Sequence, residues 1–320
     1  MYKVVITDNP PPSLDNDNAI FVPLGAQVVA GKCKTAEEVI ALAADADAVI
    51  TGFAPITAAV IATMKKVRVI VRLGIGYDSV DVAAAAKAGI PVCNVPDYCL
   101  NEVADHTLAL ILASTRGIVP LCVDVRGGNW RLAVPLGSMR TLRDTTVGLV
   151  GFGRIGREVA ARLKPFHGRV LVFDPVADPA AVRLAGFEPV AFDELLATSD
   201  IVSLHCPSSP KTRGMINREA LAKMKKGAQL VNASRGDLVV TADLVEALRS
   251  GQLSGAALDV FSPEPIPNDS PLLGMGNVIL TPHAAATSVK SEQNLRTTAA
   301  QIAARALRGE KLINVVNGVA

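Results

Sequence analysis

Short β-branched runs alternate with Ala-rich stretches of helical period through the first hundred residues. The period-2 or continuous apolar runs predict strands at residues 3–7, 48–51, 67–72 and 91–95, and the amphipathic stretches predict helices at 37–44, 58–64 and 82–88. Strands that alternate with helices imply a parallel-sheet α/β unit, so residues 1–97 read as a small doubly wound domain. A longer helix is predicted at 101–115, with Asn101 as a candidate cap, Glu102 and Asp105 near its positive end, and Gly117 beyond its end. Residues 127–141, with Trp130, Pro135 and Gly137, are less regular. They read as a surface loop or, from their length, as an interaction arm. The pattern then resumes, with strands at 201–205, 229–233, 256–260 and 278–281 and helices at 193–199, 219–223 and 242–249. An Ala-rich helix at 289–307 and a strand or turn at 311–316 close the chain.

The stretch from Thr145 to Asp174, TTVGLVGFGRIGREVAARLKPFHGRVLVFD, sharpens this outline. An apolar strand ends in Gly151-Phe152-Gly153-Arg154-Ile155-Gly156, a helix follows, and a second strand at 170–173 ends on Asp174. Strand, glycine turn, helix, strand and acid within about thirty residues is the setting a dinucleotide fingerprint requires. Gly151 permits the tight turn, Gly153 lets the backbone approach a pyrophosphate, and Gly156 lets the helix pack close to the sheet. The helix N–H groups at Arg154 and Ile155 would face the phosphates. Asp174 would accept from the adenosine ribose hydroxyls and repel a 2′-phosphate. No Arg or Lys follows in Asp174-Pro175-Val176-Ala177, so NAD is favoured over NADP. With two earlier strands, the later four make six in one parallel sheet. The expected fold class is therefore α/β, with two doubly wound parallel-sheet domains. These are a central Rossmann NAD-binding domain at 98–287 and a discontinuous flavodoxin-like substrate domain at 1–97 plus 288–320, to which the last helix returns. The cleft between two such domains is a usual place for a substrate.

Composition narrows the classes without changing this outline. The chain has 320 residues, half of them hydrophobic and 19% charged, which suits two buried cores. A net charge of +2, aromatics at 4% and no long basic run give no support for a nucleic-acid surface. Cys33, Cys93, Cys99, Cys122 and Cys206 form no C-x-x-C pair, so no metal site is expected and the thiols suit a reducing compartment. The N-terminal MYKVVITDNPPP reads as a strand and a proline turn, not a signal segment, and the apolar runs fall short of a membrane span. A cytoplasmic protein with neither membrane nor nucleic-acid partner is expected.

Three strand-end positions carry the groups that hydride exchange on a 2-hydroxy or 2-keto acid requires. Arg235, in Asn232-Ala233-Ser234-Arg235-Gly236-Asp237, could grip a carboxylate bidentately and polarise the neighbouring carbonyl, or could be a surface Arg paired with Asp237. Gly236 would permit a sharp turn behind it. His283, after Thr281-Pro282, is one of four histidines, with His106, His167 and His205, on which imidazole chemistry would have to draw. It could equally be structural. Glu264, between Pro263 and Pro265, is a fixed carboxylate or an exposed turn. Should Glu264 meet His283, it would stabilise the imidazolium, and His283 could give a proton in reduction and take one in oxidation.

These motifs resemble the D-isomer-specific 2-hydroxyacid dehydrogenase family, which includes glycerate, phosphoglycerate and D-lactate dehydrogenases, over nearly the whole chain. The N-x-S-R-G, D-V-F-x-x-E-P and T-P-H motifs place the family's catalytic set on Arg235, Glu264 and His283, in the family's order. The same resemblance implies that Asp259 meets the nicotinamide carboxamide and that Cys206, Pro207 and Thr212 line the cofactor. It further implies that Ala233 lies beneath the nicotinamide and that Thr107 stands near the phosphates. In Arg72-Leu73-Gly74-Ile75-Gly76-Tyr77-Asp78 it implies a loop whose backbone N–H groups bind the substrate carboxylate, although Arg72 could instead pair with Asp78 or Asp81. The resemblance also implies a homodimer built by residues 101–115 and the following arm. Asp97-Tyr98-Cys99 and Glu102-Val103-Ala104-Asp105-His106 are most similar to the branch that holds the C-terminal-binding-protein corepressors. That branch has Trp where this chain has Ala286, and no regulatory small-molecule domain is expected after residue 320.

The expected function is an NAD-dependent oxidoreductase acting on a small D-2-hydroxy or 2-keto acid, with His283 as acid/base and Arg235 as clamp. Two alternatives stand beside it: an NAD-sensing corepressor-type binding protein, and a dehydrogenase of formate or phosphite on the same scaffold.

Overall fold

The computed structural model describes residues 1–319. The chain forms two compact units, Met1–Tyr98 with Ser288–Ala320, and Cys99–Thr287. In chain order the first unit runs β1 (Tyr2–Ile6), α1 (Asp15–Phe21), β2 (Ala26–Ala30), α2 (Ala36–Ala43), β3 (Ala48–Thr51), α3 (Ala58–Thr63), β4 (Val69–Arg72), α4 (Val82–Lys87) and β5 (Val92–Cys93). All four pairings are parallel, in the order β2-β1-β3-β4-β5. Two elements of this unit escape the sequence pattern. Edge strand β2 is mostly half-exposed and follows Gly25, and α1 has no side-chain cap and buries little besides Phe21.

The second unit continues with α5 (Leu100–Thr115), α6 (Ile118–Arg126), β6 (Thr146–Val150), α7 (Arg154–Leu163), β7 (Arg169–Phe173), α8 (Pro179–Leu184) and β8 (Glu188–Pro189). After these come α9 (Phe192–Thr198), β9 (Ile201–Leu204), α10 (Arg218–Lys223), β10 (Ala228–Asn232), α11 (Thr241–Arg249), β11 (Leu253–Leu258) and β12 (Val278–Leu280). The sheet has seven strands, not six, in the order β12-β11-β10-β9-β6-β7-β8, all parallel. The additional strand is β8, two residues ending in Pro189. Only an edge tolerates a proline there, and so short a run carries no periodicity. The order reverses direction at β6 and β9, and the fingerprint turn leaves β6 at that switch point. Asn101 does not cap α5. The cap position is Cys99, and Asn101 Oδ1 instead accepts from Arg162 Nη2 at 2.8 Å.

Helix α12 (Val289–Arg308) opens with a capping box in which Ser288 and Ser291 satisfy each other's backbone N–H groups. It returns to the first unit. Alternation along the strands divides that unit's core. Val4, Ile6, Val69 and Val71 pack with α1 and α12, while Val5, Val49, Ile70 and Val92 pack with α2, α3 and α4. The predicted segment 311–316 forms no strand, only an isolated antiparallel bridge between Val315 and Cys93. Asn317 then anchors the tail, accepting from Val92 N and donating to Ile90 O. Among the described residues no single helix is long and apolar enough to cross a membrane.

Because Ile302 on α12 is fully buried, Ile302→Ala should lower stability by about 2–5 kcal/mol, read from the denaturant midpoint of the first unit. Val289→Ala, at a position 77% exposed, should cost less than about 0.5 kcal/mol. Equal shifts for the two variants would mean that α12 is not part of that core.

Candidate active site

Glycines on the fingerprint turn do three different jobs. Gly151 has φ of 106°, and a Cβ there would stand 2.7 Å from the His205 carbonyl carbon, so both conformation and space exclude a side chain. At Gly156 a Cβ would meet the Gly151 carbonyl oxygen at 2.2 Å, which is how α7 packs against the end of β6. Gly153 has nothing within 4 Å of that position, leaving open space above the turn. Helix α7 starts there without a side-chain cap, with Gly153 and Arg154 exposed and Ile155 half-buried. Uncapped N–H groups beneath open space suit a pyrophosphate. Asp174, at the end of β7, ties the turn down. Its Oδ2 accepts from Phe152 N at 2.7 Å, and its Oδ1 accepts from Val176 N and Ala177 N at 2.8 and 3.1 Å. Three backbone donors leave limited acceptor capacity for ribose hydroxyls.

Across the switch point, Cys206, Pro207 and Thr212 form a loop after β9. Thr212 Oγ1 donates to Pro207 O at 2.7 Å and accepts from Ser209 N at 2.8 Å, so this hydroxyl shapes the loop. Burial pushes the Cys206 thiol up to about 11, with smaller contributions from Asp174 and Asp237, and keeps it protonated. Thr107 lies on the inner face of α5. It is fully buried, and its hydroxyl donates to Val103 O at 2.8 Å within α5.

The three candidate catalytic side chains, Arg235, Glu264 and His283, lie after the carboxyl ends of β10, β11 and β12. After β10, Asn232 Nδ2 donates to Arg235 O and Asn232 Oδ1 accepts from Ser234 N, closing a tight loop that includes Ala233. Arg235 Nη1 donates to Ser234 O at 2.7 Å, while Asp237 accepts from Ser208 Oγ and from Arg213 Nε. Gly236 is not required for a sharp turn. A Cβ on it would stand 1.9 Å from Phe261 O, so glycine lets this loop touch the loop after β11, backbone to backbone.

In that second loop Glu264 Oε1 accepts from Phe261 N and Oε2 stands 2.8 Å from His283 Nδ1. The bonds Ser262-Pro263 and Glu264-Pro265 are both cis. Burial alone would push the Glu264 carboxyl up. The hydrogen bonds from His283 and Phe261, with the charges of His283 and Arg235, outweigh it and hold the group below the usual range. Glu264 is therefore ionised at neutral pH and loses its charge only as pH falls through that lowered value. An ionised carboxylate can only accept, so His283 carries a proton on Nδ1 and any proton exchanged with a ligand is the one on Nε2. The residue has φ of 52°, a left-handed conformation, held by its N–H bond to Asp259 O at 2.7 Å. Asp259 is fully buried. Its Oδ1 accepts from Thr281 Oγ1 at 2.6 Å and Ala284 N at 2.9 Å, and its Oδ2 accepts from Ala285 N at 2.9 Å.

The remaining histidines differ in kind. Burial pushes His205 down to about 4, with its Nε2 sharing a hydrogen with Ser203 Oγ, so it stays neutral. His167 is exposed and ends a short helical turn at φ 59°. His106 touches the site and the sequence pattern had not singled it out for a role there. The available signs were its place among the four histidines and in the Glu102–His106 motif. In the first unit, taken by itself, Arg72 ends β4 with its guanidinium 5.5 Å over the Phe53 ring and packed on Gly74, whose φ is 139°. Asn94 Nδ2 donates to Ile75 O and Val95 N to Gly74 O, fixing the loop while the Ile75 and Gly76 N–H groups donate to no acceptor among the described residues. Among the described residues no group of three or more His, Cys, Asp or Glu side chains is arranged to hold a metal.

Residues 108–285 match the family model described as D-isomer specific 2-hydroxyacid dehydrogenase, NAD binding domain. The chain is 40% identical over 281 residues to a D-3-phosphoglycerate dehydrogenase of Mycobacterium leprae, covering 88% of this chain and 53% of that protein. It therefore spans about half the length of that relative. It is also 40% identical over 267 residues to a glyoxylate reductase of Korarchaeum cryptofilum, covering 82% of this chain and 80% of the relative. Among solved structures, the D-lactate dehydrogenase of Aquifex aeolicus complexed with NAD and lactic acid is similar with a TM-score of 0.85 at 28% identity, over 96% of each chain. The fingerprint, the loops after β10, β11 and β12 and these relatives agree: the chain belongs to the D-isomer specific 2-hydroxyacid dehydrogenase family.

Proposed function

We propose that the protein is an NAD-dependent oxidoreductase that interconverts a small D-2-hydroxy acid and its 2-keto acid. The observation that carries this reading is the 2.8 Å bond from His283 Nδ1 to Glu264 Oε2, beside a loop that presents Arg235. When bound, NAD(H) supplies or accepts the hydride. Gly151, Gly153, Arg154, Ile155 and Gly156 would hold its pyrophosphate, and Asp174 its adenosine ribose. Cys206, Pro207, Thr212 and Ala233 would line the nicotinamide side, and the last acceptor position of Asp259 would meet the carboxamide. Arg235 would grip the substrate carboxylate and draw electron density from its carbonyl. In the first unit, taken by itself, the Arg72 and Gly74–Gly76 loop offers backbone N–H groups suited to a carboxylate. His283 would pass the Nε2 proton to the substrate oxygen in reduction and recover it in oxidation. Glu264 would fix the ring and stabilise its charged form.

A homodimer is part of the proposal. Helix α6 and the arm after it expose Val123 at 66%, Trp130 at 93% and Leu136 at 76%, an apolar surface that a second copy would cover. The five free cysteines suit the cytoplasm.

Turnover of glyoxylate, hydroxypyruvate, pyruvate, phenylpyruvate, formate and phosphite with NAD(H) tests the reaction class. Turnover of a 2-keto acid is expected. Turnover of formate or phosphite alone would move the protein to the other dehydrogenase reading, and NADH binding without any turnover would favour a sensing role. In the active protein, His283→Ala should lower kcat about 10²- to 10⁴-fold while leaving NADH affinity, read by fluorescence titration, nearly intact. Asp174→Ala should weaken NAD and narrow its advantage over NADP; a parent protein that already prefers NADP would contradict the cofactor assignment.

A further inference from the structure

One imidazole borders the site without a role in the chemistry proposed above. His106 lies on α5 with its side chain 25% exposed, its Nε2 3.2 Å from Thr281 Oγ1 and 3.6 Å from Asp259 Oδ1. Thr281 comes directly after β12 and two residues before His283. Its hydroxyl has one proton, and the 2.6 Å contact with Asp259 Oδ1 takes it, because a carboxylate offers only acceptors. The Thr281 oxygen can then only accept from His106. This fixes the proton of the neutral ring on Nε2, and an imidazolium would make the same bond.

The relay matters because of what Asp259 holds. Its carboxylate ties Thr281 on one side of His283 and Ala284 and Ala285 on the other, and its carbonyl oxygen takes the His283 N–H. Every one of these bonds comes from the turn itself. His106 approaches the cluster from another element, helix α5, which packs on the sheet. A left-handed conformation at a non-glycine residue costs about 1–3 kcal/mol and persists where its surroundings over-determine it. The lateral donor from α5 is the additional restraint on that turn.

On the reading that His283 is the acid/base, we propose that His106 is a positioning residue. It donates from Nε2 to Thr281, which donates to Asp259, and this chain fixes the turn that places His283 on Glu264. No proton leaves the relay during turnover. Its job is to keep the His283 Nε2 aimed, where a displacement of about 1 Å can cost on the order of a hundredfold in rate.

The test has two independent arms. Nitrogen-15 NMR of the parent protein with the ring in its neutral form should show His106 as the Nε2–H tautomer, assigned by comparison with His106→Gln. The Nδ1–H tautomer would overturn the relay whatever the protein turns over. In kinetics, His106→Leu should lower kcat about tenfold or more, with NADH affinity and thermal midpoint little changed. His106→Gln, whose amide nitrogen can reach the same oxygen, should recover most of the loss. Thr281→Val should lower kcat at least as far as the Leu variant and should also lower the thermal midpoint, because it takes a donor from the buried Asp259 carboxylate; adding His106→Leu to it should lower kcat little further, since both break one chain. A Leu variant within about twofold of the parent, or a Gln variant no better than Leu, would overturn the proposal. If the parent reduces no 2-keto acid, the functional reading fails in that screen, and the tautomer still decides whether the relay exists.

Discussion

A carboxylate with no exposure to water is costly unless donors replace its hydration, and Asp259 is such a group. Its donors fix the local backbone: Thr281, Ala284 and Ala285 must all turn toward the end of β11 to satisfy it. That requirement bends the chain after β12 into a turn whose centre is His283, and the Asp259 carbonyl then takes the His283 N–H. The imidazole is aimed by a polar group that must be satisfied, not by the packing of its own ring. Breaking one member of such a network leaves a buried acceptor short of donors, so the turn behaves as a unit.

The sheet supplies the second constraint. Because every pairing is parallel, the loops after β9, β10, β11 and β12 all emerge at the same edge, although they are far apart in sequence. Neighbouring loops must still approach closely for Arg235 and Glu264 to share one electrostatic environment. Gly236 against the Phe261 backbone allows this, and the effect is visible in the Glu264 carboxyl, which both His283 and Arg235 help to hold ionised. Gly151 and Gly156 perform the corresponding task at the switch point. One glycine brings chemical loops together, while two others bring a helix and a turn onto the sheet.

Most of the fold was legible because its signals are local. Continuous β-branched runs marked β3 and β9, which are buried along their whole lengths, and helical periodicity marked α2, α11 and α12. What escaped were elements stabilised from outside themselves. Strand β8 has two residues, β2 is a half-exposed edge and α1 has no side-chain cap, so neither pattern nor cap announced them. In the site, Arg235, Glu264 and His283 could be named from their strand-end positions and motifs, and a Glu264–His283 contact could be posed, but the Asp259 network that aims the ring could not. Thr107 was placed near the phosphates by resemblance alone; it is buried with its hydroxyl on Val103 O, and His106, one residue earlier, reaches the strand ends. Gly236 was assigned to a turn because the loop after β11 is invisible from residue 236 until the sheet is assembled.

The position of the proton on His283 carries one further consequence. Glu264 stays ionised across neutral pH and always accepts from Nδ1, so the ring keeps one orientation in both charge states. In the proposed acid/base role, the proton that moves is the one on Nε2. A ring that neither flips nor changes partner needs no reorganisation when the direction of proton transfer reverses, and preorganisation of this kind acts equally on reduction and oxidation. The site geometry is therefore indifferent to direction. On the proposed function, the direction would be set by the relative amounts of the reacting acids and cofactor forms, as for any catalyst that lowers one shared barrier.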